Sequence, residues 1–157
     1  EMLAFGKEYA RQIVKNAKTL GQALFERGFR VLGDHKGFTE SHVVIIDITK
    51  YGLGGDLERK LEKANIILNR NLLPWDIKEG RHFQNPGGIR VGASEVTRLG
   101  MRESEMIEIA DFMKRVVIDN EPTEKVRGDV EEFRRAFQKV HFAFDTARDA
   151  YEYIHLR

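Results

Sequence analysis

Pro86-Gly87-Gly88-Ile89-Arg90-Val91-Gly92-Ala93-Ser94 sets one arginine in a short β-branched run closed on both sides by glycine, and Ser94-Glu95 follows as a helix start. Read as strand then helix, the stretch is poorly suited to hold an arginine for solubility alone. Glycine has no Cβ, so a backbone or a ligand can come close beside it. Guanidinium is planar and offers a fork of N–H donors that matches a carboxylate or phosphate with two parallel hydrogen bonds. Arg90 is therefore read as an anion-gripping residue on a strand. The alternative is a strand-edge arginine paired with a surface acid and contributing about 0–1 kcal/mol.

Directly upstream, Asn69 to Gly88 holds Pro74, Gly80, Pro86 and a Gly-Gly pair, the marks of irregular chain. Its length of about twenty residues exceeds the ~12–15 beyond which structureless connections in compact domains tend to be functional or disordered. Because it runs straight into Ile89-Arg90-Val91, loop and arginine are read as one site. Farther back, Ala10, Ile13, Ala17, Leu20 and Leu24 recur at helical steps, and Gly28 stands where a left-handed C-terminal cap belongs. Phe29 to Leu32 and the β-branched run His42 to Ile48 read as two strands joined by a polar loop. Asp56 caps a helix carrying Leu57, Leu61 and Ala64 on one side, and Asn65 ends it before an apolar Ile66-Ile67-Leu68 strand.

Downstream of the arginine, Met106, Ile109, Met113 and Val116 keep helical spacing from about Glu103 to Asn120 and Pro122. From Thr123 onward, Val126, Val130, Phe133, Phe137, Val140, Phe144, Ala147, Tyr151 and Ile154 alternate steps of four and three, the 3.5-residue average of a coiled coil. Gly128 and the bulky aromatics favour one long helix laid across another surface over a free coiled coil.

Composition removes several function classes. The 157 residues suffice for one domain with a real core. Twenty-six basic against twenty-five acidic residues leave a formal net charge of +1, which builds no field for nucleic acid. The chain has no cysteine, so disulfides and thiolate chemistry are excluded and a cytoplasmic setting fits. Apolar runs are only a few residues long, against the ~20 that span a bilayer, and no signal-peptide pattern opens the chain. Neither nucleic acid nor membrane is an expected partner.

The five histidines, His35, His42, His82, His141 and His155, show no metal-ligand spacing, so no metal site is expected. His42 at the head of a strand is read as a packed or hydrogen-bonded core histidine. Gly52-x-Gly54-Gly55 before a helix has the look of a phosphate cradle but lacks the lysine, and turn chemistry accounts for it. Trp75, the only tryptophan, either stacks on a planar ligand or covers the edge of the core, the second being the plainer reading. Asn69 and Asn71 either read the edge of a heterocycle or bond to turn backbone.

Several segments form an ordered set: Val14-Lys15-Asn16-Ala17-Lys18-Thr19-Leu20, Gly28 ahead of a strand, His42 opening its run, Gly52-Leu53-Gly54-Gly55 and Ala64-Asn65-Ile66. Asn69-Arg70-Asn71 with Pro74, Gly88-Ile89-Arg90-Val91-Gly92 and Thr97-Arg98-Leu99-Gly100-Met101 complete it. Over about residues 9 to 118 the set resembles the C-terminal small domain of serine hydroxymethyltransferase (glycine hydroxymethyltransferase), a fold type I pyridoxal-phosphate enzyme that interconverts serine and glycine. The resemblance implies that Arg90 grips the substrate carboxylate, that Asn71 lies at the folate end of the site, and that Gly88 and Gly92 support the loop around the arginine. It implies pyridoxal phosphate as the cofactor of the complete enzyme, tetrahydrofolate or a modified pterin as one-carbon carrier, and a homodimer. Three features depart from the family pattern: a longer loop bearing Trp75, Ala93-Ser94 in place of Thr-Pro, and the aromatic-rich ending. The first and third point to a divergent, archaeal-type member.

The family's lysine motif, threonines followed by His-Lys before a glycine-rich turn, is missing here, and His35-Lys36-Gly37 lacks that context. Schiff-base chemistry needs such an amine. The chain is therefore expected to be part of an enzyme, with no catalytic residue of its own, inactive alone, and missing the large domain that carries the lysine. The expected fold is α/β, of the α+β two-layer kind, with a small, mainly antiparallel three-stranded sheet covered by helices. Residues 1–120 form this domain, and 121–157 form a long amphipathic helix packed on it or on a partner. A competing reading takes the aromatic stripe as the mark of a non-catalytic partner or oligomerisation module.

Overall fold

The computed structural model describes the backbone of residues 1–155 and the side chains of residues 1–153. In chain order the elements are α1 (Met2–Glu26), β1 (Arg30–Val31), β2 (Val43–Asp47), α2 (Gly54–Lys63), β3 (Asn69–Asn71), β4 (Gly88–Gly92), α3 (Ser94–Arg98), α4 (Glu103–Val117), α5 (Thr123–Arg134) and α6 (Ala147–His155). The sheet runs β1-β2-β4-β3 with every neighbouring pair antiparallel. Helices cover one face. Val44, Ile46, Ile89 and Val91 point into that core, where they meet Ala17, Leu20 and Leu24 of α1, Leu61 of α2 and Met106, Met113 and Val116 of α4. Burying each large side chain of this set contributes about 1.5–3 kcal/mol, which is why α1 and α4 lie against the sheet.

The endings of α1 and α2 follow from one backbone device. Gly28 (φ 93°) and Asn65 (φ 59°) take left-handed conformations after α1 and α2. In each case the next residue turns its N–H back, Phe29 to the Leu24 carbonyl at 3.1 Å and Ile66 to the Leu61 carbonyl at 3.0 Å. This is the paired-bond stop that satisfies the last helix carbonyls.

The sheet has four strands rather than three. The apolar Ile66-Ile67-Leu68 does not pair; the pairing segment is Asn69–Asn71, just after it. The sharp stop at Asn65 has to be followed by a few residues that reach the sheet edge, and Leu68 anchors that crossing while Ile67 stays 85% exposed. A polar edge strand of three residues is hard to recognise by β-propensity, which chiefly reports burial.

Nor is the last segment one long helix. α5 stops at Arg134 and α6 begins at Ala147, and the intervening chain crosses back over α1 and α3. His141 N–H donates to the Arg98 carbonyl at 2.7 Å, Phe142 takes φ 55° and lies 5.2 Å from the Tyr9 ring, and Phe144 meets Phe5 edge-on at 5.0 Å. Val126 and Val130 are the stripe residues with core beneath them, and Phe133 packs between Phe112 and Phe137. The break after α5 lets two more rings, Phe142 and Phe144, pack half-buried on α1. The side chain of Ile154, the last position of the periodic stripe, lies outside the described residues.

One polar group holds the helical layer in place. Asn16 is wholly buried; its Nδ2 donates to Thr97 Oγ1 at 2.8 Å and to the Met101 carbonyl at 2.9 Å, and its Oδ1 accepts from Gln12 Nε2 at 2.9 Å. Each lost partner in a buried network costs roughly 1–3 kcal/mol. Asn16→Ala is therefore expected to lower unfolding free energy by about 2–3 kcal/mol in a denaturant titration, and a loss below about 0.5 kcal/mol would contradict this account.

Candidate functional site

β4 is an internal strand, between β2 and β3, and its register decides which side chains surround Arg90. Ile45 of β2 and Asn69 of β3 stand directly opposite Arg90, so all three share the face that no helix covers. One rung along, Arg30, Asp47, Gly88 and Asn71 line up across all four strands. Residues two apart on a strand point to the same face, so Asn71 also joins this face, as do the two glycines that flank Arg90.

The two glycines do different things. A Cβ at Gly88 would stand 2.6 Å from Leu73 Cδ2, so the strand must be bare there for the 72–87 loop to fold down onto it. A Cβ at Gly92 would meet nothing closer than the His42 carbonyl oxygen at 4.0 Å, and open space remains on that side of Arg90. Arg90 is thus walled by the loop at one end and open at the other. Its side chain is exposed, and among the described residues its one hydrogen-bond partner is Asn69, with Nη2 donating to Oδ1 at 3.3 Å. Among the described residues no carboxylate pairs with it. The strand-edge arginine bonded to a surface acid is not what the structure contains.

The loop owes its shape to Asp76, which the sequence did not single out. Its carboxylate is wholly buried and accepts from the backbone N–H of Leu73 and of Gly87, each at 2.8 Å, and from Arg81 Nη1 at 2.9 Å. Burial alone would push this carboxyl up; the two backbone donors and the Arg81 guanidinium outweigh it and hold the group below the usual carboxylate value. Farther along, Asn85 and Pro86 close the N-terminus of α2: Gly54 N–H donates to the Pro86 carbonyl at 2.7 Å and Gly55 N–H to Asn85 Oδ1 at 2.9 Å. The glycines before α2 therefore serve a turn, as their sequence suggested, because the donors a phosphate would need are already taken.

Trp75 is half-buried and carries the Arg30 guanidinium 5.2 Å from its ring centroid. Arg30 in turn bonds to buried Asp47 at 2.8 Å. The tryptophan thus rests on the Arg30–Asp47 pair, on the sheet face opposite the hydrophobic core, and not over the core's edge. Asn71 is half-buried and its Nδ2 donates to the Leu72 carbonyl at 2.7 Å, so turn bonding and a position beside Arg90 hold together. His42 is exposed rather than packed; strand pairing begins one residue later, and only its carbonyl is engaged, by Ala93 N–H at 2.9 Å. Among the described residues no group of three His, Asp or Glu side chains could hold a metal ion, and no helix is long and apolar enough to cross a membrane. A separate cavity of about 270 Å³, lined chiefly by apolar residues such as Ile66, Val96, Leu99, Phe112 and Phe133, lies on the helix side.

Asp76 makes the loop acid-sensitive. Its depressed native value means that its contribution is complete above the unfolded carboxylate value of about 4 and is lost as pH falls through the native value. The emission of Trp75 is expected to shift in that acid range. Asp76→Ala strands two buried N–H groups and is expected to cost about 3 kcal/mol, with the shifted emission already present at neutral pH; wild-type emission in that variant would refute the role.

A family model described as serine hydroxymethyltransferase matches residues 2–113. Serine hydroxymethyltransferases of Nitrosopumilus maritimus, Korarchaeum cryptofilum and Methanocaldococcus jannaschii are 53%, 56% and 54% identical over 100%, 98% and 98% of the chain. The chain spans about a third of these relatives, 36%, 35% and 36% of their lengths. These archaeal matches extend through the aromatic-rich ending that lies beyond residue 113. Among solved structures, L-threonine transaldolase from Pseudomonas fluorescens in its internal aldimine state superposes with a TM-score of 0.78 at 30% identity, over 99% of this chain and 35% of that one.

Proposed function

The chain belongs to the serine hydroxymethyltransferase family, and from that premise we propose that it is the small domain of such an enzyme, whose task is to grip and orient the carboxylate of serine or glycine through Arg90. The observation that carries this reading is an exposed arginine in the middle of a sheet, with no acidic partner and with bare strand beside it. A carboxylate arriving from the open side would receive two parallel charge-assisted hydrogen bonds of ~1.5–3 kcal/mol each. Fixing that end of the amino acid sets the direction of the bonds at its Cα. Asn71, on the same face one rung away, stands at the pterin end.

Pyridoxal phosphate, when bound in the complete enzyme, supplies the electron sink for chemistry at Cα. The strand positions on the open face hold Val43, Ile45, Asp47, Arg30, Asn69, Asn71, Gly88, Arg90 and Gly92, with no lysine among them. This face is suited to bind a carboxylate, not to form an imine, and the amine comes from the large domain. Residues 1–120 are the small domain and 121–157 its appendage. The assembled enzyme is a cytoplasmic homodimer using tetrahydrofolate or a modified pterin. The competing reading of the aromatic stripe as a docking surface has no comparable support, because Phe133, Phe137 and Phe144 pack within the chain.

In the assembled enzyme, Arg90→Lys and Arg90→Ala are expected to raise KM for L-serine by about 10- to 100-fold or more, the loss of one or both charge-assisted bonds; an unchanged KM would sink the assignment. The 157-residue chain alone, incubated with pyridoxal phosphate and borohydride, is expected to show no stoichiometric adduct on any one lysine by mass spectrometry.

A further inference from the structure

We propose that Asn69 is a positioning residue for Arg90: a neutral acceptor that holds one edge of the guanidinium in place without cancelling its charge. The inference rests on the carboxylate-binding reading of Arg90. Its basis is a contrast within the molecule. In the sheet and the loop above it, this chain otherwise pairs arginine with acid: Arg30 with Asp47, Arg70 with Glu58 and Arg81 with Asp76; outside the sheet, Arg102 bonds to the Gln12 amide. Arg90 alone among the sheet arginines has an amide instead.

Arg30 and Asp47 serve as an internal control. They stand directly opposite on β1 and β2 and bond at 2.8 Å. Arg90 and Asn69 stand directly opposite on β4 and β3 and bond at 3.3 Å. Directly opposed antiparallel residues have Cβ atoms about 4.5–5.5 Å apart, so the register by itself brings either partner within reach. An aspartate at 69 would make the ion pair that Asp47 makes and occupy the fork an incoming carboxylate needs. Alanine would leave a long, exposed side chain to be ordered at the moment of binding, which lowers affinity. Asparagine avoids both outcomes. It accepts from Nη2 alone, so the remaining donors stay available and the charge stays whole.

The test uses the assembled enzyme for kinetics and the 157-residue chain for side-chain dynamics. Asn69→Ala is expected to raise KM for L-serine about tenfold with kcat changed less than about threefold, and to lower the NMR order parameter of the Arg90 Nε–H vector. Asn69→Asp is expected to raise KM at least as much while keeping Arg90 ordered. Asn69→Thr, a neutral acceptor suited to a strand, is expected to stay within about threefold of wild type. Arg90→Lys in the same assay separates the two claims: if it leaves KM unchanged, the carboxylate reading falls; if it raises KM while Asn69→Ala and Asn69→Asp match wild type, the role of Asn69 alone falls.

Discussion

A slip of β4 by one residue against β2 and β3 would turn Arg90 into the core and carry Ile89 and Val91 out to solvent. Ile89 is wholly buried and Val91 nearly so, while a guanidinium placed among Leu20, Leu61 and Met113 would have no partner for its donors. The apolar loss alone is about 3–6 kcal/mol for the two side chains, and an unpaired buried charge adds more. The register of this one strand therefore fixes at once which residues make the core and which make the site. Everything placed around Arg90 follows: Asn69 and Ile45 beside it, Gly88 and Gly92 along it.

The same strand determines why the long loop returns over the sheet. Leu73 seats on bare Gly88, and Asp76 ties the two ends of the excursion together through the N–H groups of Leu73 and Gly87. The loop then continues to Asn85 and Pro86, which take up the first N–H groups of α2. Loop, β4 and α2 are thus joined by backbone bonds, and a change in any of them would be felt at the arginine. A glycine at 88 is needed for this closure, whereas a glycine at 92 serves access.

Much of this architecture was legible from residue pattern, and the exceptions share a cause. α1, α2 and α4 announced themselves because a helix buried on one side repeats its apolar residues every three or four positions, as Ala17, Leu20 and Leu24 do. β2 and β4 were legible because both are central and β-branched. β3 was misplaced by a few residues because an edge strand of Asn-Arg-Asn buries nothing that would mark it. The C-terminal helix was overextended because Phe133, Phe137, Val140 and Phe144 keep four-three spacing, although Phe133 and Phe137 pack beside Phe112 while Phe144 reaches Phe5 of α1. On the open face, Arg90 and Asn71 stood out in the sequence because each sits in a recognisable motif. Asp76 did not, since a carboxylate bonded to its own loop looks in sequence like any surface acid; its place between Pro74 and the Gly-Gly pair was the one available hint.

The uncovered face of the sheet is not uniform, and its division explains the size of the site. Toward the Arg30–Asp47–Gly88–Asn71 rung the loop lies down, Asp47 is buried and neutralised by Arg30, and Trp75 rests against that pair. Toward the Ile45–Arg90–Asn69 rung, Arg90 and Asn69 are exposed, and among the described residues no acid pairs with the guanidinium. A surface built only for solubility would disperse such a charge among acids, as the exposed pairs Arg59–Asp56 and Arg127–Glu131 do on the helices. Here the acids are kept to the closed half and an amide stands in the open half. On the proposed reading, a carboxylate arriving at Arg90 would meet a guanidinium with no acidic partner among the described residues, the Leu73 side chain toward Gly88 and open space toward Gly92.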